Sequence, residues 1–203
     1  MTYLISRFLI KVFAKLFWSF ETHDIDRVPA KGAVIIAGNH ASYMDPPLVG
    51  CCVKRKLWFV ARKTLFRNKF MGKYLKMIQA MPIDNKAADV GALKMILKKL
   101  KEGEGIVIFP EGTRSTDGKI QDPKLGIGAI VLKTGVPVVP AYIRNSYNAW
   151  PRDSKTPRFG VKVKVYYGNL LQFKQIAKPS KEEIEDVSIR IMKEIEALRE
   201  GAS

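Results

Sequence analysis

The chain has 203 residues, 47% apolar and 27% charged; that is enough for one domain with a real hydrophobic core, too little for two, and unlike a disordered or low-complexity chain. Thirty-five Lys and Arg against nineteen Asp and Glu leave a formal charge of +16, which implies a polyanionic partner such as nucleic acid, an anionic membrane or a phosphorylated substrate. Cys51 and Cys52 are neighbours and His23 and His40 are the only histidines, so neither a disulfide framework nor a metal site is expected.

Residues 1–20 read as an amphipathic helix in which Arg7, Lys11 and Lys15 recur every four positions on a surface of Leu, Ile, Val, Phe and Trp. Such a helix is about 30 Å long, but each cation near the bilayer centre costs roughly 2.5 to 3.5 kcal/mol. Lying in the interface avoids that cost, with the cations among lipid headgroups and docking of one side on the domain a compatible addition. The charges run through the apolar stretch instead of preceding it, unlike a signal peptide. From Met1 to Lys76 there are fourteen Lys and Arg against four Asp and Glu, net +10, whereas Lys178 to Ser203 has five against seven, net −2. Because the basic end is also the aromatic end, it suits a lipid headgroup region better than nucleic acid. The helix and its exit, residues 1–25, form a membrane-associating segment, and residues 26–203 form one domain.

Beyond the helix, short apolar runs alternate with helical patterns, the signature of a single α/β domain with a largely parallel sheet flanked by helices. Strands are predicted at Ala33–Ala37, Leu57–Ala61, Ile106–Phe109, Val136–Ile143 and Val161–Val165, the last alternating Val with Lys. Val90, Leu93, Ile96, Leu97 and Leu100 mark one amphipathic helix. Ile184, Val187, Ile191, Ile195 and Leu198 mark another, opened by Ser180 and Glu183 as a capping box.

Two polar constellations follow apolar strands, where α/β proteins place their binding loops. In Asn39-His40-Ala41-Ser42-Tyr43-Met44-Asp45, His40 and Asp45 would diverge on a helix, so contact between them needs a turn. Asp45 as N-cap of a helix starting at Pro46 would provide it; taken alone, the pair reads as no more than a helix cap and a loop histidine. In Phe109-Pro110-Glu111-Gly112-Thr113-Arg114-Ser115, Gly112 permits close backbone approach and Arg114 offers a planar fork matched to phosphate. Alone, this reads equally as a polar turn. The basic run Arg62, Lys63, Arg67, Lys69, Lys73 and Lys76 after the Leu57 strand reads mainly as a solvated face.

Taken together in this order, Asn39-His40-x4-Asp45 and Phe109-Pro110-Glu111-Gly112-Thr113-Arg114-Ser115 resemble the glycerolipid acyltransferase family, in particular its 1-acylglycerol-3-phosphate acyltransferases. Met81-Pro82-Ile83-Asp84 and Gly135-Val136-Pro137-Val138-Val139-Pro140 fit two further blocks, so the resemblance spans roughly residues 33–143. It departs where the second block usually opens with Gly and closes with Arg, for here Gln79 and Asn85 stand in those places.

The resemblance implies that residues 26–203 are a catalytic domain moving a fatty acyl group from a thioester of acyl-carrier protein or coenzyme A to the 2-hydroxyl of a lysophosphatidate, giving phosphatidic acid. Glycerol 3-phosphate or another lysolipid is the alternative acceptor, and a non-catalytic lipid-binding domain is the alternative of another class. By the resemblance His40 is the general base and Asp45 its orienting partner, with Ser42, Cys51 and Cys52 given no nucleophilic role. Arg114 and Lys63 clamp the substrate phosphate, with Glu111, Gly112 and Thr113 completing the binding loop; amides near Glu111 and Gly112 are candidate oxyanion donors. No cofactor, metal or nucleic-acid partner is implied, and the expected location is interfacial, on the cytoplasmic face of the cell membrane.

Overall fold

The computed structural model describes residues 1–84 and 89–201. The first stretch, free of Pro and Gly, forms helix α1 (Thr2–Trp18), which ends as Ser19 turns left-handed (φ 43°) and donates its amide to Ala14 O. Strand β1 (Glu21–His23) follows, then β2 (Val34–Gly38), α2 (Asp45–Cys51), β3 (Leu57–Arg62), a 3-10 turn (Lys63–Phe66), α3 (Lys69–Met77) and β4 (Ala80–Ile83). After them come α4 (Val90–Lys101), β5 (Gly105–Ile108), α5 (Gly126–Thr134), β6 (Val138–Arg144), the short α6 (Ser146–Ala149), β7 (Lys164–Tyr167) and α7 (Lys181–Gly201).

The seven strands make one sheet in the order β1-β7-β6-β2-β5-β3-β4, and every neighbouring pair is parallel except β6 with β7. Strand alternation divides the core in two. Val34 and Ile36 of β2 and Val107 of β5 face a cluster with Ala14 and Trp18 of α1 and Leu48 and Val49 of α2. Ile35, Ala37 and Ile106 face the opposite cluster, built from Ile96 and Leu100 of α4, Ile127, Ile130 and Val131 of α5, and Ile191 and Ile195 of α7. Burial on both faces is why the central strands read as unbroken apolar runs. The capping box of α7 forms, Ser180 N donating to Glu183 Oε2 (2.7 Å) and Glu183 N to Ser180 Oγ (3.2 Å).

Several expectations change. The last strand begins at Lys164 instead of Val161, because the residues before it serve α1: Gly160 N donates to Phe17 O and Val163 N to Trp18 O. Glu21–His23, too polar to read as a strand, joins the sheet beside β7, where Lys162 and Lys164 form ion pairs with Glu21. A boundary at residue 25 would therefore cut β1 from its own sheet, and α1 is built into the domain through Ala14 and Trp18, both without exposed surface. Arg7 does not point outward with Lys11 and Lys15. Its guanidinium turns inward and donates to Cys51 O (3.3 Å), Val53 O (2.6 Å) and Arg55 O (3.3 Å), satisfying carbonyls at and beyond the end of α2. The solvent face of α1 carries Leu4, Ile5, Phe8, Leu9 and Leu16, all exposed. Among the described residues, no helix is long and apolar enough to cross a membrane.

Candidate active site

Parallel strands put their C-terminal ends on one edge of the sheet, and both motifs lie there. Asn39 follows β2, and its buried amide continues the ladder toward β6: Ile143 N donates to Asn39 Oδ1 (2.7 Å) while Asn39 Nδ2 donates to Ile143 O (3.2 Å). This anchors the next residue. His40 Nδ1 lies 2.9 Å from Asp45 Oδ2, and the amides of Ala41 and Ser42 donate to the same oxygen at 2.6 Å each. The turn expected between His40 and Asp45 is present, but its cause differs. Asp45 is the first residue of α2, not its cap, and the positions ahead of it are Pro46 and Pro47, which have no amide hydrogen to offer a carboxylate. The side chain therefore turns back to the loop, which closes around it. A carboxylate oxygen accepting from two amides accepts from the ring as well, so Nδ1 carries the hydrogen and Nε2 holds a free lone pair.

The loop after β5 wraps the histidine. Phe109 stacks on the His40 ring with centroids 4.2 Å apart and planes 20° from parallel, and Ser115 N donates to His40 O (2.7 Å). Glu111, 2% exposed, lies beneath: His40 N donates to its Oε1 (2.7 Å) and Gln121 N to its Oε2 (3.3 Å). Burial raises its pKa to about 7 against the opposing pull of those amides, and the Asp45 charge adds to the rise. Both carboxylate oxygens thus organise the two loops. Gly112 takes φ 68°, and its amide is already given to Phe109 O (3.0 Å). That withdraws it as an oxyanion donor and leaves the neighbouring Thr113 and Arg114 amides, which have no intramolecular partner among the described residues.

Arg114 is held by a residue the sequence did not single out. Its guanidinium carbon sits 3.6 Å from the centroid of the Tyr43 ring, and Nη1 is buried with no hydrogen-bond partner among the described residues. Tyr43 in turn lies against Trp150 (5.8 Å), and the two, with Met44, Arg152 and Lys155, wall an open cleft of about 560 Å³. Trp150 arrives there through the bridge between Pro151 and Ser42. Lys63 is exposed just past the end of β3, on the same edge of the sheet but two strands from β2, and no contact joins it to Arg114 among the described residues. At the departures, Gln79 occupies the turn between α3 and β4 at φ 63°, a conformation that explains why glycine would suit the place; Asn85 lies outside the described residues.

A His-Asp pair and an arginine loop at the C-terminal edge of a parallel sheet suit an acyl-transfer enzyme, and the comparisons with known proteins name that class. The chain belongs to the Acyltransferase family, whose model matches residues 19–144. It is 33% identical over 135 residues to the 1-acyl-sn-glycerol-3-phosphate acyltransferase of Bacillus subtilis, covering 65% of this chain and 66% of that protein. To the protein of the same name from Streptococcus pneumoniae it is 29% identical over 192 residues, covering 91% of this chain and 69% of the other. The crystal structure of the 1-acyl-sn-glycerophosphate acyltransferase of Thermotoga maritima superposes with a TM-score of 0.78 at 28% identity, over 96% of this chain and 78% of that one. The chain thus spans about two thirds to four fifths of these relatives' lengths.

Proposed function

We propose that this protein transfers a fatty acyl group from an acyl thioester to the 2-hydroxyl of 1-acylglycerol 3-phosphate, forming phosphatidic acid. The observation that carries the reading is the His40–Asp45 pair facing the Arg114 loop, and the names of the relatives support the choice of acceptor. His40 Nε2 takes the hydroxyl proton as the oxygen attacks the thioester carbonyl, and Asp45 stabilises the imidazolium that forms. The tetrahedral oxyanion is met by amides of the Thr113–Arg114 stretch. As it collapses, the C–S bond breaks and the proton on His40 passes to the leaving thiolate, so no acyl-enzyme is needed. Arg114, with Nη1 unpartnered, binds the acceptor phosphate, and Lys63 adds charge at the rim. The donor is an acyl-carrier protein or coenzyme A thioester, and the reaction runs at the cytoplasmic face of the membrane with the exposed apolar side of α1 seated in the interface.

The test is a product profile from purified protein, offering each donor thioester with lysophosphatidate, glycerol 3-phosphate or a lysolipid lacking a free phosphate. Thiol release coupled to phosphatidate formation is expected with lysophosphatidate. Faster turnover of glycerol 3-phosphate would reassign the acceptor, and no thiol release with any acceptor would leave a lipid-binding domain.

A further inference from the structure

Helix α3 presents an apolar stripe left exposed among the described residues. Phe70 is 88% exposed, and Met71, Tyr74 and Met77, on the same side of the helix by their spacing, are exposed as well; Leu65 of the preceding 3-10 turn extends the patch. Lys69, Lys73 and Lys76 recur with the same spacing and form a parallel stripe of charge beside it. The α3 face is continuous with α1, because Tyr74 OH donates to Ser6 Oγ (3.2 Å), joining the stripe to the helix that exposes Phe8 and Leu9.

Charge identifies what covers this surface. Between Pro46 and Pro82 the sequence holds nine Lys and Arg and no Asp or Glu, so an occupant must be both anionic and able to take large apolar side chains. We infer that α3, through Phe70, Met71, Tyr74 and Met77 with Lys69, Lys73 and Lys76, is a second membrane-inserting element that seats the domain on an anionic phospholipid bilayer alongside α1. This goes beyond the membrane role given to α1 and rests on it only for the choice of a bilayer. Two inserted helices define a plane where one defines only a line. Because α3 begins just past the C-terminal end of β3, the edge of the sheet that carries His40, its insertion fixes how that edge meets the leaflet.

The experiment is co-sedimentation of the full chain with vesicles of pure phosphatidylcholine and of phosphatidylcholine mixed equally with phosphatidylglycerol. Phe70→Ser combined with Met71→Ser should lower partitioning onto the mixed vesicles by about tenfold or more. Lys69→Gln, Lys73→Gln and Lys76→Gln together should erase most of the preference for mixed over pure phosphatidylcholine vesicles. Leu9→Ser with Leu16→Ser on α1 and Ile189→Ser on α7, on the opposite face of the sheet, are run beside them. A Phe70→Trp chain gives a second readout: bilayer-embedded brominated lipid should quench the added indole beyond the quenching of the native chain. Native partitioning by the α3 variants, or an unquenched indole, overturns the inference. If the α1 variant alone is released, the membrane reading of α1 stands without α3; if neither is released, both fall. A dimer in solution that the Phe70 and Met71 changes dissolve would assign the stripe to a second copy of the chain and overturn the proposal.

Discussion

Tyr43 stands in the first motif, yet its ring serves the second by holding the Arg114 guanidinium, whose carbon lies 3.6 Å from the ring centroid. A cation-π contact of this kind contributes about 0.5 to 2 kcal/mol. Tyr43→Ala should therefore raise KM for the phosphorylated acceptor about 2- to 30-fold with a smaller effect on kcat, and Tyr43→Phe, which keeps the ring, should restore it. Steady-state kinetics against each substrate decides this; a rise confined to the donor's KM would place Arg114 on the wrong ligand. Glu111 gives a prediction of another kind. Its pKa of about 7 in the folded protein lies above the ordinary glutamate value near 4.3, so the folded state binds the extra proton. Its contribution is present below about pH 4.3 and is lost as pH rises through about 7, a change of roughly 4 kcal/mol. Glu111→Gln should remove that slope. Chemical denaturation of both proteins from pH 5 to 8 should show the native chain losing stability relative to the variant as pH rises, and parallel curves would refute the buried charge.

Among the elements, α1, α4, α7 and the central strands were legible because each obeys one simple period: β2 and β5 are buried on both faces and α4 and α7 on one, whereas α3, α5 and α6 were not read from the sequence. What the sequence hid depended on distant partners. Strand β1 is three polar residues held by β7, far along the chain, and β4 carries Pro82 in an edge strand, where a missing amide is tolerated. The His40–Asp45 contact was legible as a need for a turn, whereas the two prolines that force Asp45 backward were read as the reason for a cap. Tyr43 could have been found only by asking what would hold Arg114, since no spacing links residues 71 apart in sequence. Arg7 is the sharpest case, because periodicity placed it in a stripe with Lys11 and Lys15 although its fork donates to three carbonyls. Arg7→Ala should cost roughly 1 to 3 kcal/mol of stability, seen as a melting temperature several degrees lower. An arginine at the headgroups would instead cost about fivefold in vesicle affinity, from roughly 1 kcal/mol per surface cation, with melting unchanged.

At the scale of the molecule, the two motifs and the exposed apolar surface lie on parts that share one frame. The sheet carries the motifs at its C-terminal edge, while α1 is at once core and surface: Ala14 and Trp18 close the core, and Leu4, Phe8 and Leu16 point out. Deleting residues 1 to 20 would therefore open the core, and the membrane role is properly tested by exposed point substitutions. Everything in the arrangement converges on His40, whose ring is held by Asp45 at Nδ1 and Phe109 against its face and whose backbone amide is held by Glu111. The decisive measurement is the initial rate of phosphatidate formation from lysophosphatidate and an acyl thioester by the native chain and by His40→Ala, with the melting temperatures of both recorded. His40→Ala should leave the fold unchanged and lower the rate by about 10² to 10⁴; a folded His40→Ala protein that turns over at close to the native rate would contradict a general-base role for His40.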